Sequence, residues 1–210
     1  MEPSVEIANS LFEQNRYQET IDACNKILKT DSNSVDALTL IAKSFLATRK
    51  TEDALLYFNR ALNIQPENHE LFKDLGNSYQ AIGDTITAKK YYRKAIDINS
   101  SYAPALTNLG SLELFTGNKK EALSLLIKAI ESDSQSAPAW VNLANGYIQA
   151  GKTQESVSAC HKAIELNPNL FNSHFLLANI LLGQNKLQEA EKSLRKTIEL
   201  KPDFSEAHSN

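Results

Sequence analysis

Cysteine is nearly absent from this 210-residue chain, which has only Cys24 and Cys160. Two thiols cannot staple a disulfide scaffold. Glycine (7 residues) and proline (6) are also scarce, which excludes collagen-like and low-complexity sequences. No apolar run approaches the roughly 18 residues of a transmembrane helix. The start, MEPSVEIANS, lacks the basic stretch and apolar run of a secretory signal. These absences point to a cytoplasmic chain without a membrane partner. Neither sign of charge prevails, with 22 Lys and Arg against 25 Asp and Glu for a net −3. There is no basic field to grip phosphates, so nucleic acid is not an expected partner. The 42% of hydrophobic residues is enough to build a core and argues against general disorder.

What is present is a period. Shifted by 34 residues, Gly83, Gly117 and Gly151 superpose, as do Gly76 and Gly110 with Ala8, Ala42, Ala144 and Ala178. Six units fit without insertion, 1–34, 35–68, 69–102, 103–136, 137–170 and 171–204, and residues 205–210 begin a seventh. A period of this length marks an array in which each unit buries its face against its neighbours.

Each unit reads as two amphipathic helices. Positions 4, 7, 8 and 11 of the unit, as in Trp140, Leu143, Ala144 and Tyr147, share one helical face. A turn follows at Gly83, Gly117 or Gly151, with Asn15 and Asn185 in the outer units; both residue types tolerate a left-handed helix end. The second helix carries small residues at positions 20 and 27, such as Ala54, Ala88, Ala95 and Ala129, with Phe58, Tyr92, Leu126 and Leu194 at position 24. All six prolines fall at unit junctions, where a missing N–H is tolerated. No segment alternates like a strand, so the fold class is all-α.

The small residue at position 8, the aromatic at 11, Ala at 20 and 27 and Pro at 32 resemble the tetratricopeptide repeat family over the whole chain. The departures are Ser32, Ser100 and Ser134 for the junction Pro, Glu113 for the aromatic, and Ile27 and Thr197 for Ala. The resemblance implies an α-solenoid, a right-handed superhelix of antiparallel helix pairs whose first helices line a concave groove. Residues 1–204 would form one solenoid domain.

Several apparent motifs carry no chemistry. Residues 146–153, GYIQAGKT, match the phosphate-loop pattern, but that chemistry needs a strand before the loop. Here Gly146 falls inside a helix and Gly151 is the repeat's turn glycine. Cys24 and Cys160 share core position 24, four units apart, too far for a disulfide, and are read as small buried hydrophobes. His174 and His208 stand at packing position 4, and no pair of histidines has metal-ligand spacing. No nucleophile stands beside a base. The chain is therefore read as noncatalytic, without cofactor or metal.

Positions 2, 5, 6, 9, 12 and 13 lie on the opposite face of the first helix and would line the groove. In units 1–3 they hold Glu2, Glu6, Glu13, Asp36, Glu70 and Asp74 against Lys43 and Lys73. In units 4–6 they hold no charge, but Asn108, Asn142, Asn145 and Asn179 among Phe115, Ile148 and Phe175. The groove is thus expected to be acidic at one end, where basic or neutral segments are preferred, and neutral at the other. Some tetratricopeptide domains hold a C-terminal carboxylate with Lys and Asn at such positions. Lys73, Asn77 and Asn108 match that pattern, but Pro138 and Asn142 stand where its remaining cations belong, so the resemblance is partial. Asn108 and Asn142 are similar to the asparagine ladder in the helical region of O-linked N-acetylglucosamine transferases, over two rungs only.

The reading is a protein-interaction scaffold whose groove takes an extended peptide or a partner helix. One alternative is the recognition arm of a larger enzyme, for example a glycosyltransferase, whose catalytic domain lies elsewhere; the stop at SEAHSN suggests a longer chain. Another is self-association through the C-terminal repeat, whose apolar stripe expects a neighbour; either the six-residue tail is disordered or this surface packs against another molecule. The register has a direct test. Ala144→Leu should overpack a helix crossing and lower stability by about 1–3 kcal/mol. A melting curve that matches the parent protein would show the register to be wrong.

Overall fold

The structure, a computed structural model, describes residues 4–209. Among these there is no strand, and the chain packs as two units, 1–100 and 101–210. The first contains α1 (Val5–Glu13), α2 (Tyr17–Thr30), α3 (Val35–Ala47), α4 (Thr51–Ile64), α5 (His69–Ala81) and α6 (Thr85–Ile98). The second contains α7 (Ala103–Phe115), α8 (Lys119–Ser132), α9 (Ala137–Gln149), α10 (Thr153–Leu166), α11 (Phe171–Gly183), α12 (Leu187–Leu200) and α13 (Ser205–Ser209). Within each unit consecutive helices pack as pairs, and each pair packs on the next. This is the all-α solenoid expected from the period.

Local sequence sets the helix ends. Ser4, Asn68, Asp84 and Ser136 accept hydrogen bonds from backbone amides of the first turns of α1, α5, α6 and α9, satisfying donors that have no partner inside the helix. Pro104 and Pro138 sit in the first turns of α7 and α9, where their fixed φ suits a helix start. The turn between the helices of each pair has one left-handed residue. It is Gly83, Gly117 or Gly151 in three pairs, at φ between 75° and 86°, and Asn15 or Asn185 in two others. The sixth is Arg49, at φ 61°. A Cβ on the three turn glycines would meet nothing within 4 Å, so glycine is used there for its backbone freedom alone.

The core lies where the two helices of a pair cross. A Cβ added to Gly76 would come within 2.6 Å of Tyr92 Cδ1, and one added to Gly110 within 2.7 Å of Leu126 Cγ. Ala8 and Cys24 are fully buried in one cluster, as are Ala144 and Cys160 in another. At the C-terminal end the described residues of the tail are ordered. Residues Ser205–Ser209 form α13, with Ala207 buried in a cluster with Ala178 and Leu194, and Phe204 packed against it. Phe204, the last residue of the sixth unit, and Ala207 of the seventh cover part of the apolar stripe on α12.

Arg49 offers a test of the turn. A left-handed residue with a Cβ costs about 1–2 kcal/mol, of which the greater chain entropy of glycine returns part. Arg49 is exposed, so Arg49→Gly should stabilise the protein by about 0.5–1 kcal/mol in thermal or denaturant unfolding. A loss of stability would show that the arginine side chain contributes more than its backbone costs.

Candidate functional site

In the first unit, α1, α3 and α5 pack side by side. Asp36 of α3 and Glu70 of α5 are exposed, as are Glu6 and Glu13 of α1, while Glu2 lies outside the described residues. Asp74 differs from these, being 4% exposed. Its Oδ1 accepts a hydrogen bond from the neighbouring Lys73 ammonium, and Lys43 Nζ of α3 stands 3.4 Å from its Oδ2. One buried carboxylate thus lies between two lysines on adjacent first helices. The Lys73 ammonium is committed to Asp74. Asn77 is engaged too, with its Oδ1 2.9 Å from the Tyr92 hydroxyl, which also lies 2.7 Å from Gln80 Oε1. A carboxylate clamp would need both side chains turned to a ligand.

Asp36, Glu70 and Asp74 share a cleft of about 280 Å³ with Asn9, Thr39 and Lys43. Glu6 and Glu13 are not among its walls. Sequence reasoning missed Asn9 and Thr39. Their repeat positions, 9 and 5, were those read as groove-lining, but neutral residues were not weighed in the acidic half.

In the second unit, α9 packs against both α7 and α11. Asn108 of α7 and Asn142 of α9, at the same repeat position, are both half-buried. Asn145 is half-buried and its Nδ2 donates to the Val141 carbonyl of its own helix at 3.2 Å. Asn179 is exposed. Phe115 is 79% exposed and Ile148 37%. Phe175 instead packs edge-on against Phe204, ring centroids 4.8 Å apart, so the residue just before α13 occupies this ring. Leu114 and Val141, at groove positions by spacing, are buried.

Glu113 is fully buried. Its carboxylate accepts a hydrogen bond from Asn118 Nδ2 at 2.5 Å and lies 3.4 Å from Thr116 Oγ1. The sequence marked it only as a departure from the usual aromatic. The Asn two residues after a Thr in the following turn was the available signal of a polar cradle. At position 4, Trp140 Nε1 donates to the Ser134 carbonyl at 2.9 Å. The Nε2 atoms of His174 and His208 stand at the same distance from the Pro168 and Pro202 carbonyls. The two histidines therefore repeat the tryptophan's contact. Gly146 is inside α9, where a Cβ would lie 3.0 Å from Leu123 Cδ2, and Gly151 is the left-handed turn residue, so GYIQAGKT is a helix end and a turn. Among the described residues no group of three His, Cys, Asp or Glu side chains is placed to hold a metal, and no helix is long and apolar enough to cross a membrane.

Tetratricopeptide repeat models match residues 5–69, 74–102, 103–136, 137–170 and 159–192. The chain belongs to the tetratricopeptide repeat family. No functionally curated protein matches it by sequence. Among solved structures, it superposes on a chain of the APC/C hetero-tetramer Cut9–Hcn1 with a TM-score of 0.89 and 17% identity over 98% of its length. It spans about two fifths of that longer chain, 41%. PilF of Pseudomonas aeruginosa is similar over 98% of this chain and 93% of its own, with a TM-score of 0.83 and 14% identity. YrrB, described as a tetratricopeptide protein with an unusual peptide-binding site, is similar over 90% of this chain and 97% of its own, with a TM-score of 0.65 and 19% identity.

Burial pushes the Cys24 thiol up from 9.0 to about 11 and the Cys160 thiol to about 12. A thiol held protonated in the folded state is no nucleophile at neutral pH. Because both values are raised, the stability they contribute is complete below pH 9, where unfolded thiols are also protonated. It is lost as pH rises toward 11–12. The Cys24→Ala/Cys160→Ala variant should therefore lose less stability than the parent between pH 9 and 11. In the parent at pH 8, thiol labelling should follow unfolding. Fast labelling of the folded protein would refute this.

Proposed function

We propose that this chain is a noncatalytic protein-interaction scaffold that holds an extended polypeptide segment, or a partner helix, against the first helices of its repeats. The observation that carries this reading is the placement of Asn108 and Asn142 at one repeat position on packed neighbours α7 and α9, with Phe115 and Ile148 exposed on the same two helices. An Asn amide offers one acceptor and two donors and pairs with a peptide bond whatever side chain that residue carries. Packed helices stand about 8–10 Å apart, and an extended chain advances about 3.3 Å per residue. A bound strand therefore meets a new asparagine about every third residue, with Phe115 and Ile148 offering shallow apolar contacts beside it. The likeness in fold to YrrB, described by its peptide-binding site, supports the same reading. So does the acidic face of the first unit, which favours basic or neutral segments over acidic tails.

A second reading, self-association, has its own observation. Leu182, Leu187, Leu194 and Ile198 line an open cleft of about 400 Å³ beside α12, and Leu187 is 60% exposed. A concentration-dependent mass in light scattering, abolished by Leu187→Glu, would favour it.

The scaffold reading is tested with peptides selected from a random library against the parent protein. Asn108→Ala/Asn142→Ala should weaken their binding by about tenfold or more, since each lost pairing is worth about 0.5–1.5 kcal/mol. The melting midpoint should move by only a few degrees, as about 1 kcal/mol of stability gives about 2–4 °C in a protein of this size. Unfolding of the double variant would make these asparagines structural, and unchanged binding would place the peptide elsewhere.

A further inference from the structure

The cleft in the first unit has an unusual floor. Asp74 is buried, and its Oδ2 accepts no hydrogen bond. Its nearest cation, Lys43 Nζ, is 3.4 Å away, and the Lys43 side chain is 36% exposed. Oδ2 has thus lost its hydration for a charge at 3.4 Å and no hydrogen bond, an arrangement that a better-placed donor would improve. The Lys73 ammonium satisfies Oδ1 only.

The charges around this oxygen do not cancel. Asp36, Glu70 and Asp74 contribute three negative charges to the walls, Lys43 contributes one positive, and Lys73 adds a second through Asp74. One further cation brings the group to neutrality. The cleft, at about 280 Å³, lies below the roughly 300–1,000 Å³ typical of small-molecule sites. That is room for a single long side chain. Asn9 and Thr39 supply polar walls that can pair with a cation's remaining N–H groups.

We infer that this cleft takes one lysine or arginine side chain of the segment the scaffold holds, its cation seated against Asp74 Oδ2 in place of the Lys43 ammonium. The inference rests on the proposed scaffold function and adds the chemistry of one partner residue. Lys43 is then a competitor for the site. Its exposed stem lets it swing out to solvent when the partner's cation enters, and the incoming donor gives Oδ2 the hydrogen bond it lacks. Asp36 and Glu70, exposed at the walls, attract the cation and hold it less tightly than the buried carboxylate.

The experiment compares a short, otherwise neutral peptide carrying one arginine with the same peptide carrying citrulline, which keeps the shape and loses the charge. Titrations are followed calorimetrically and by amide chemical shifts. The arginine peptide should bind at least about tenfold more tightly, the scale of one charge-assisted hydrogen bond. Glu70→Gln and Asp36→Asn, both surface changes, should each weaken it severalfold. Lys43→Gln should strengthen it, because the competing cation is gone. Equal binding of the two peptides, no arginine-peptide binding at millimolar concentration, or weaker binding by a folded Lys43→Gln variant would each overturn the proposal. Asn108→Ala/Asn142→Ala separates the two readings. If both peptides bind equally and lose affinity in that variant, the scaffold function stands and the basic-residue cleft fails. If only the arginine peptide binds, indifferent to that variant, the cleft stands and the asparagine contact fails.

Discussion

The fold depends on one close approach, between position 8 of each first helix and position 24 of its partner. In two pairs, with Tyr92 and Leu126 at position 24, position 8 is glycine, and a single added carbon would collide with the ring or the leucine. In the other pairs position 8 is alanine, beside Cys24 and Cys160 and equally beside Phe58 and Leu194. At each crossing position 8 is kept small, as close-packed interiors require. Everything else in a pair is hung on this crossing, including the distance at which its turn must close and the face its first helix presents outward.

The crossing also reaches the surface. The Tyr92 ring that fills the space above Gly76 carries its hydroxyl out to Asn77 and Gln80, so the identity of a core residue decides what a neighbouring face residue can offer. The same holds for charge. Lys43 and Lys73 converge on Asp74 because α3 and α5 pack side by side. One acid of the first unit, Asp74, is therefore balanced internally, leaving Glu6, Glu13, Asp36 and Glu70 outward. In the second unit the corresponding faces carry amides and apolar groups.

The period, the paired helices, the left-handed turns and the membership of the family were all legible in the sequence, because each follows from residue type at a fixed spacing. Repeat position also assigned the buried crossing residues at positions 8 and 24. It did less well for individual residues whose surroundings come from another helix. Asp74 reads as a groove acid by its number and is buried by its lysines. Phe175 reads as an open apolar contact and is met by Phe204, two elements further along. Leu114 and Val141 are drawn into the packing between successive first helices. Arg49 holds a left-handed turn that its residue type does not announce, and Glu113 is buried in a polar cradle that no spacing rule describes. Periodicity states where a side chain points. It does not state what arrives to meet it.

The junctions between pairs have a consequence for how such a chain can change over time. Trp140, His174 and His208 each bring a ring nitrogen to the backbone carbonyl six residues earlier, at Ser134, Pro168 and Pro202. Arg60 reaches the equivalent carbonyl of Ser32 from the following second helix, at 2.6 Å. The acceptor in this clasp is one that every amino acid carries. The junction residue is consequently free to drift between proline and serine while the loop stays fastened. The donor can likewise be an indole, an imidazole or a guanidinium. Selection on the fold then acts on whether some side chain reaches that oxygen, and hardly on which one does. In such a chain, architecture can outlast sequence by a wide margin, as it does here with solved relatives that share fewer than one residue in five.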